Sequence, residues 1–400
     1  MKTVKIKDLG RTVTGHTPPT SESKYFGDFM PFVKPTDIDK ESKYTYNPEQ
    51  YYSEEAAEKY KTSLIPKGAT CVVCIGTIGE KMTMAHCDLY TNQSINSIIP
   101  SKDYDSDYVY YLLKYNLGKV KALNKGTASG REFVSKSTFL EMEVEVHEDL
   151  ATQQRIGSML SAYDSLVENN RRQIELLDEA TRRIYSNLTA SYQSLFEGAE
   201  LGNSPSDGFR FERIGDVFTT FLGGTPSRER KDFWEGGTIS WINSGAVNKL
   251  RIVEPSERIT EAALQKSATK LLPKHTTILA ITGATLGQVS FTEIETCANQ
   301  SVVGIVDSTG IYTYFMYLFV SENIKKIIAK ATGGAQQHIN KDIVNNYTVC
   351  LPPEEIMEDF NKMVIPYFEK IAQLSKQNLG LIESRDILIQ KIMSGESPIK

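Results

Sequence analysis

Leu271-Leu272-Pro273-Lys274-His275, following Thr260-Glu261-Ala262-Ala263, restates Leu64-Ile65-Pro66-Lys67-Gly68 and Ser53-Glu54-Glu55-Ala56 at an offset of 207 residues. The match extends in both directions. Upstream, Val4-Lys5-Ile6-Lys7-Asp8-Leu9 and Thr14-Gly15-His16-Thr17-Pro18 answer Phe211-Glu212-Arg213-Ile214-Gly215-Asp216-Val217 and Gly223-Gly224-Thr225-Pro226-Ser227. Each pair reads as a strand followed by a glycine-proline turn. Downstream, Thr77-Ile78-Gly79 answers Thr285-Leu286-Gly287, and Asn92-Gln93-Ser94 answers Asn299-Gln300-Ser301. Lys125–Lys136 then aligns with Lys330–Lys341 at an offset of 205, a two-residue loop deletion. Solenoid units run roughly 20 to 50 residues, so this long period marks a duplicated domain.

Four hundred residues allow two to three domains, each large enough to bury its own core. A net charge of -5 argues against a free polybasic binder, yet local charge decides the field at a site. Lys114, Lys119, Lys121, Lys125, Arg131 and Lys136 crowd one stretch against the single acid Glu132. The second copy carries Lys325, Lys326, Lys330 and Lys341 there, with acids at Glu322 and Asp342. The start lacks an apolar signal region, and Ile311–Val320 is too short to span a bilayer. The expectation is a soluble, cytoplasmic chain with no membrane contact. Cys71-Val72-Val73-Cys74 with His86-Cys87 looks superficially like a metal site. It aligns with Ile278-Leu279-Ala280-Ile281, so a buried strand is expected there and no metal.

Each copy is followed by a heptad pattern. The first runs Ile156, Leu160, Tyr163, Val167, Asn170, Ile174, Leu177, Thr181, Ile184 and Leu188. The second runs Phe360, Val364, Tyr367, Ile371, Leu374, Asn378, Leu381, Arg385, Leu388 and Ile392. Such steps make a coiled-coil seam, and each helix would be about 50 Å long at 1.5 Å per residue. Equal lengths point to pairing, antiparallel if the copies are related by an approximate two-fold. Asn170 and Asn378 either fix register or are tolerated near solvent. Pro366 should kink or break the second helix.

A variable domain, a long helix, a second such domain and a second long helix resemble the specificity subunit of type I restriction-modification enzymes. The resemblance covers essentially the whole chain; its motifs are the Gly224–Ser227 turn, the Thr77–Gly79 and Thr285–Gly287 loops, and the two Asn-Gln-Ser triplets. It implies an α+β fold of two homologous target recognition domains separated by an antiparallel coiled coil. Expected bounds are 1–149 and 201–352 for the domains, with spacer helices at 150–200 and 353–400. It also implies double-stranded DNA, two methyltransferase subunits and restriction subunits as partners. S-adenosylmethionine, ATP and magnesium would then be bound by those partners, with no cofactor on this chain. Copy one departs at His16, where copy two has Gly224, and at Lys34-Pro35-Thr36-Asp37 against Asn243-Ser244-Gly245-Ala246. Such differences are expected if each copy reads a different half-sequence.

The residues agree with a non-catalytic reader. There is no Asn-Pro-Pro-Tyr motif for adenine methylation, Asn47-Pro48-Glu49-Gln50 being a turn, and neither a phosphate-binding GxxxxGK[ST] loop nor a GxGxxG loop occurs. Candidate base readers are Ser129, Arg131 and Glu132 in copy one, and Gln336, Gln337 and His338 in copy two. Glutamine can pair with adenine, arginine with guanine, and glutamate can accept from cytosine. Lys34, Thr36, Asp37, Asn243 and Ser244 form a second rank. Lys119, Lys121, Lys125, Lys326 and Lys330 would contact phosphates, which set affinity but not sequence. Two rivals remain open from sequence: a coiled-coil protein scaffold, and a self-sufficient nuclease or methyltransferase.

Overall fold

The computed structural model describes residues 1–124, 132–192, 208–330 and 339–396. Two compact units emerge: residues 1–169 with 378–400, and residues 170–377. The division falls within both long helices, so each unit holds one globular body and a part of each helix.

In the first unit, strands Gly10–Thr14, Ile95–Pro100, Thr70–Val73 and Met82–Met84 form an antiparallel sheet in that order. The second unit repeats it with Thr219–Leu222, Val302–Val306, Thr277–Ala280 and Val289–Thr292, and adds Arg251–Ile252 at the edge. Register is kept: Cys71 faces Ser97 as Ile278 faces Gly304. Each body also carries a smaller mixed sheet, built around Met30–Val33 and around Ile239–Ile242. The repeated turn after Pro66 and Pro273 is left-handed at its last residue in both copies, at Gly68 (φ 85°) and at His275 (φ 62°).

Two expectations need correction. The segments Val4–Leu9 and Phe211–Val217 are strands only to Lys5 and Arg213; short helical turns, Ile6–Leu9 and Ile214–Val217, follow. Those turns bury Ile6, Leu9 and Ile214 at a helical spacing. Of the two effects expected of Pro366, the break is absent, since the helix runs continuously from Glu354 to Met393. Pro366 itself is exposed, while Val364 and Phe368 on either side are buried and hold the helix down. The cysteine pair lies as expected: Cys71 is in the buried strand Thr70–Val73, where Ser97 Oγ donates to its sulfur at 3.3 Å. Burial pushes the Cys71 thiol up to about 12 and that of Cys74 to about 11.

The helix Leu150–Ser191 starts where the Asp149 carboxylate accepts the Thr152 amide at 2.8 Å, satisfying one of the free first-turn N–H groups. Within the first unit, Asp164 pairs with Arg385, and Asn378 Nδ2 donates to the Val167 carbonyl at 3.4 Å, so the helices run antiparallel there. In the second unit Asn170 Nδ2 donates to Gln377 Oε1 at 3.3 Å. Both seam asparagines are buried, which removes the solvent-tolerated reading.

Leu160, Val167, Ile371 and Leu374 are buried, but Ile174, Leu177, Ile184, Leu381 and Leu388 are only half-buried. Deep burial shifts by one residue, to Asp164, Tyr185, Phe368 and Ile389 instead of Tyr163, Ile184, Tyr367 and Leu388. A straight helix drifts about 20° per heptad against a strict seven-residue repeat. The helix faces also wall the globular cores. Ile156, Leu160, Ile389 and Ile392 join the core under Tyr108–Leu113, while Phe360, Val364 and Phe368 join that under Phe315–Val320. A buried cation fastens each body to its helix. Lys43 Nζ reaches Asp107 at 2.5 Å and Ser161 Oγ at 2.8 Å; Arg251 lies over the rings of Tyr317 and Phe368.

Candidate nucleic-acid interface

The Asn-Gln-Ser triplets form the hub of one loop cluster in each body. Asn92 and Asn299 fold each triplet by accepting the amides of Ser94 and Ser301, both at 3.1 Å. Three neighbours then attach through the backbone. Asn92 N donates to Val33 O and Asn299 N to Ile242 O, joining the turns that begin at Lys34 and Asn243. Cys74 N donates to Ser94 O and Ile281 N to Ser301 O, joining the loops that contain Gly79 and Gly287. His16 N donates to Thr91 O and Gly224 N to Ala298 O, joining the glycine-threonine-proline turns. Glycine is needed at 15 and 223, where a Cβ would lie 2.2 Å from Asn92 O and 2.0 Å from Asn299 O.

The fourth component is the helix that leads into each candidate reading loop. Gly79 sits against the helix Leu117–Ala122, and Gly287 against the helix Thr313–Ala329. The chain returns beside the same loops, with Gly76 N donating to Glu132 O at 3.1 Å and Ile339 N to Ile281 O at 3.1 Å. The described residues that flank each candidate reading loop are thus tied to the cluster. Lys125, Ser129, Arg131, Gln336, Gln337 and His338 lie outside the described residues.

The cluster is furnished differently in the two copies. Copy one is charged: Glu80 bonds Lys121 at 3.0 Å, and Lys34 bonds Glu49 at 2.6 Å. The Lys121 hydrogen bond, with the further charges of Lys40 and Lys81, holds the Glu80 carboxyl below its usual range. Lys81 Nζ also donates to Pro35 O at 2.9 Å, tying the two loops together. Asp37 accepts the amides of Lys34 and Glu49, so its carboxylate supports the turn and Thr36 is the exposed member. At the matching turn copy two carries neutral groups: Asn243 is exposed, its Oδ1 accepts the Gly245 amide, and the Ser244–Asn248 turn packs on Gly283–Thr285. Glu80 is an inserted residue, since Lys81 and Gln288 hold the same strand-edge position, their carbonyls accepting from Val73 N and Ala280 N.

Two lysines fall on another side. Leu117 and Lys121 face Gly79, as Ile324 and Ile328 face Gly287. Lys119 and Lys326, two residues from those contacts, are turned roughly 200° around the helix. Lys326 instead lines a cleft of about 400 Å³ with Tyr185, Ser186 and Glu322. Lys330 lies over the Tyr347 ring at 4.8 Å. Sequence reasoning passed over Lys40, Glu80 and Lys81. Their signal was two short charged stretches, Asp39-Lys40-Glu41 and Glu80-Lys81, each set in a loop.

This placement predicts a split among the lysines. Lys40→Ala should weaken DNA binding alike for all sequences and reduce the salt slope by about one. Lys119→Ala should leave the slope unchanged. A titration across salt concentrations checks both, and equal slopes for the two variants would refute the assignment.

Among the described residues no His, Cys, Asp and Glu cluster could hold a metal ion, and no helix is long and apolar enough to cross a membrane. A family model described as the type I restriction modification DNA specificity domain matches residues 1–179 and again 206–381. The MjaIX specificity subunit of Methanocaldococcus jannaschii is 27% identical over 405 residues, covering 98% of this chain and 92% of that relative. The HindI specificity subunit of Haemophilus influenzae is 33% identical over 193 residues, 47% of this chain and 42% of that relative. The solved S subunit of a type I restriction-modification system from M. genitalium shares the fold, with a TM-score of 0.58 at 16% identity over 98% of this chain and 95% of that one. With the family domain present twice on duplicated bodies and long helices between and after them, the chain belongs to the type I restriction-modification specificity subunits.

Proposed function

We propose that this subunit reads a bipartite, asymmetric DNA site and directs adenine methylation or cleavage by partner subunits. The observation that carries the reading is the loop cluster: one backbone scaffold, built twice, bearing Lys34 and the inserted Glu80 in copy one where copy two has the neutral Asn243 turn and no inserted acid. A scaffold that keeps its shape while changing its hydrogen-bonding groups is what two different half-sites require.

The helices, 42 and 40 residues long, are proposed to set the gap between half-sites and to offer docking surfaces for two methyltransferase subunits. Restriction subunits complete the assembly. S-adenosylmethionine, ATP and magnesium belong to those partners, and the chain itself performs no chemistry. The bounds 1–149 and 201–352 for the reading domains remain part of this proposal.

The test is co-expression with the methyltransferase encoded beside this chain, followed by mapping of N6-methyladenine. The expected result is a split motif with two unlike halves and a constant gap, absent when this chain is omitted. An active methyltransferase with no chain-dependent motif would refute the proposal and favour a protein scaffold. Methylation by the chain alone would make it an enzyme.

A further inference from the structure

Every member of the repeated Asn-Gln-Ser triplet except one is accounted for by folding. The asparagine carboxamides accept the serine amides, and the serine carbonyls accept the amides of Cys74 and Ile281. The glutamines are exposed in both copies. Gln93 Oε1 accepts a hydrogen bond from the Thr17 hydroxyl, and Gln300 Oε1 accepts one from Thr225 at 2.5 Å. Neither side chain makes another hydrogen bond among the described residues.

That single bond has a directional consequence. With one lone pair of Oε1 taken by the threonine hydroxyl, each exposed carboxamide keeps its two N–H donors without a protein partner among the described residues. The donors stand at the hub where the Lys34 or Asn243 turn, the Gly79 or Gly287 loop and the threonine-proline turn meet. An oriented pair of neutral donors suits an anionic oxygen.

We propose that Gln93 and Gln300, oriented by Thr17 and Thr225, are phosphate-anchoring residues that seat each body on the DNA backbone. The proposal rests on the DNA-reading function above. Identity between the copies decides between phosphate and base. The surrounding turns differ, Lys34-Pro35-Thr36-Asp37 against Asn243-Ser244-Gly245-Ala246, whereas the threonine-glutamine pair is unchanged. A group common to both readers fits what two unlike half-sites share, the sugar-phosphate chain.

The experiment compares Gln93→Glu, Gln300→Glu and the double variant in the complete chain co-purified with its methyltransferase. Binding is measured to a duplex carrying the mapped motif and to a scrambled duplex of equal length. Glutamate still accepts from the threonine hydroxyl, so the turn keeps its brace, but it sets negative charge where the donors stood. Each single variant should bind both duplexes well over tenfold more weakly, because like-charge repulsion adds to the lost hydrogen bond. Uncharged Gln93→Ala should lose about tenfold, the scale of a lost hydrogen bond to a charged group, and the methylated motif should not change. Equal affinity across the variants would overturn the anchoring role. So would a loss confined to the cognate duplex, which marks base reading, or a matching fall in thermal midpoint, which marks a brace. An unsubstituted complex without chain-dependent binding would instead refute the function on which the proposal rests.

Discussion

Arg385→Ala lowers the stability of the first unit by about 3–5 kcal/mol, the cost of breaking a buried ion pair by removing one partner. Arg385 is 1% exposed and Asp164 is 6% exposed. The guanidinium bonds one Asp164 oxygen, the Tyr111 hydroxyl donates to the other, and Arg385 also reaches Asp386 at 2.8 Å. Burial first, and then the Asp164 charge, push the Tyr111 hydroxyl well above its usual range. Without Arg385 the carboxylate keeps Tyr111 but loses its counter-charge in a site closed to water. Asp164→Asn should cost a similar amount, because it leaves Arg385 with only the half-exposed Asp386.

The two effects do not add. Asp164→Leu with Arg385→Met and Tyr111→Phe should recover most of the loss, since packed apolar residues replace a buried ion pair at little cost. The tyrosine must change too, because an orphaned buried hydroxyl costs about 1–3 kcal/mol. Denaturant unfolding of the full chain, following the transition of this unit, measures all three variants. A triple variant no better than Arg385→Ala would show that the pair is not where the stability resides.

Gly79→Ala should unseat the helix Leu117–Ala122 and abolish reading by the first body. The residue is left-handed at φ 69°, and an added Cβ would lie 2.5 Å from Lys121 Cβ and 2.7 Å from the Leu117 carbonyl oxygen. The strain is of order 1–3 kcal/mol, and overpacking adds about 1–3 kcal/mol because a backbone atom must give way. Two nearby glycines separate the terms. Gly76 is left-handed at φ 92° with nothing within 4 Å of an added Cβ, so Gly76→Ala should show strain alone. Gly287 is left-handed at φ 84°, but its close contact is the terminal methyl of Ile328 at 2.6 Å, which can rotate aside. The expected order of damage is Gly79, then Gly287, then Gly76. Thermal midpoints together with the methylated motif read it out, and equal damage at Gly79 and Gly76 would refute the close-approach argument.

The duplication was legible because turn chemistry is local: Pro-Lys-Gly against Pro-Lys-His, and Asn-Gln-Ser against Asn-Gln-Ser, keep their spacing whatever surrounds them. The buried strand at Cys71 was legible only through its partner copy at Ile278. The helices were legible as periodicity, yet their packed face was not. Asp164 reads as a solvent residue until Arg385, 221 positions away, is brought against it. The lysines show the same limit, since Lys119 and Lys121 are equivalent in composition and fall on different sides of one helix. Gln93 and Gln300 were visible as a repeated motif. Their orientation depends on hydroxyls 76 and 75 residues distant, which no local pattern encodes.

The central claim is that each body reads its own half of one site. The most direct test maps N6-methyladenine in cells carrying the methyltransferase with this chain as Arg131→Ala, or as Gln336→Ala with Gln337→Ala. Arg131→Ala should relax or change one half of the motif and leave the other half and the gap intact. The glutamine pair should do the reverse. A motif in which both halves change together, or neither does, would contradict the account.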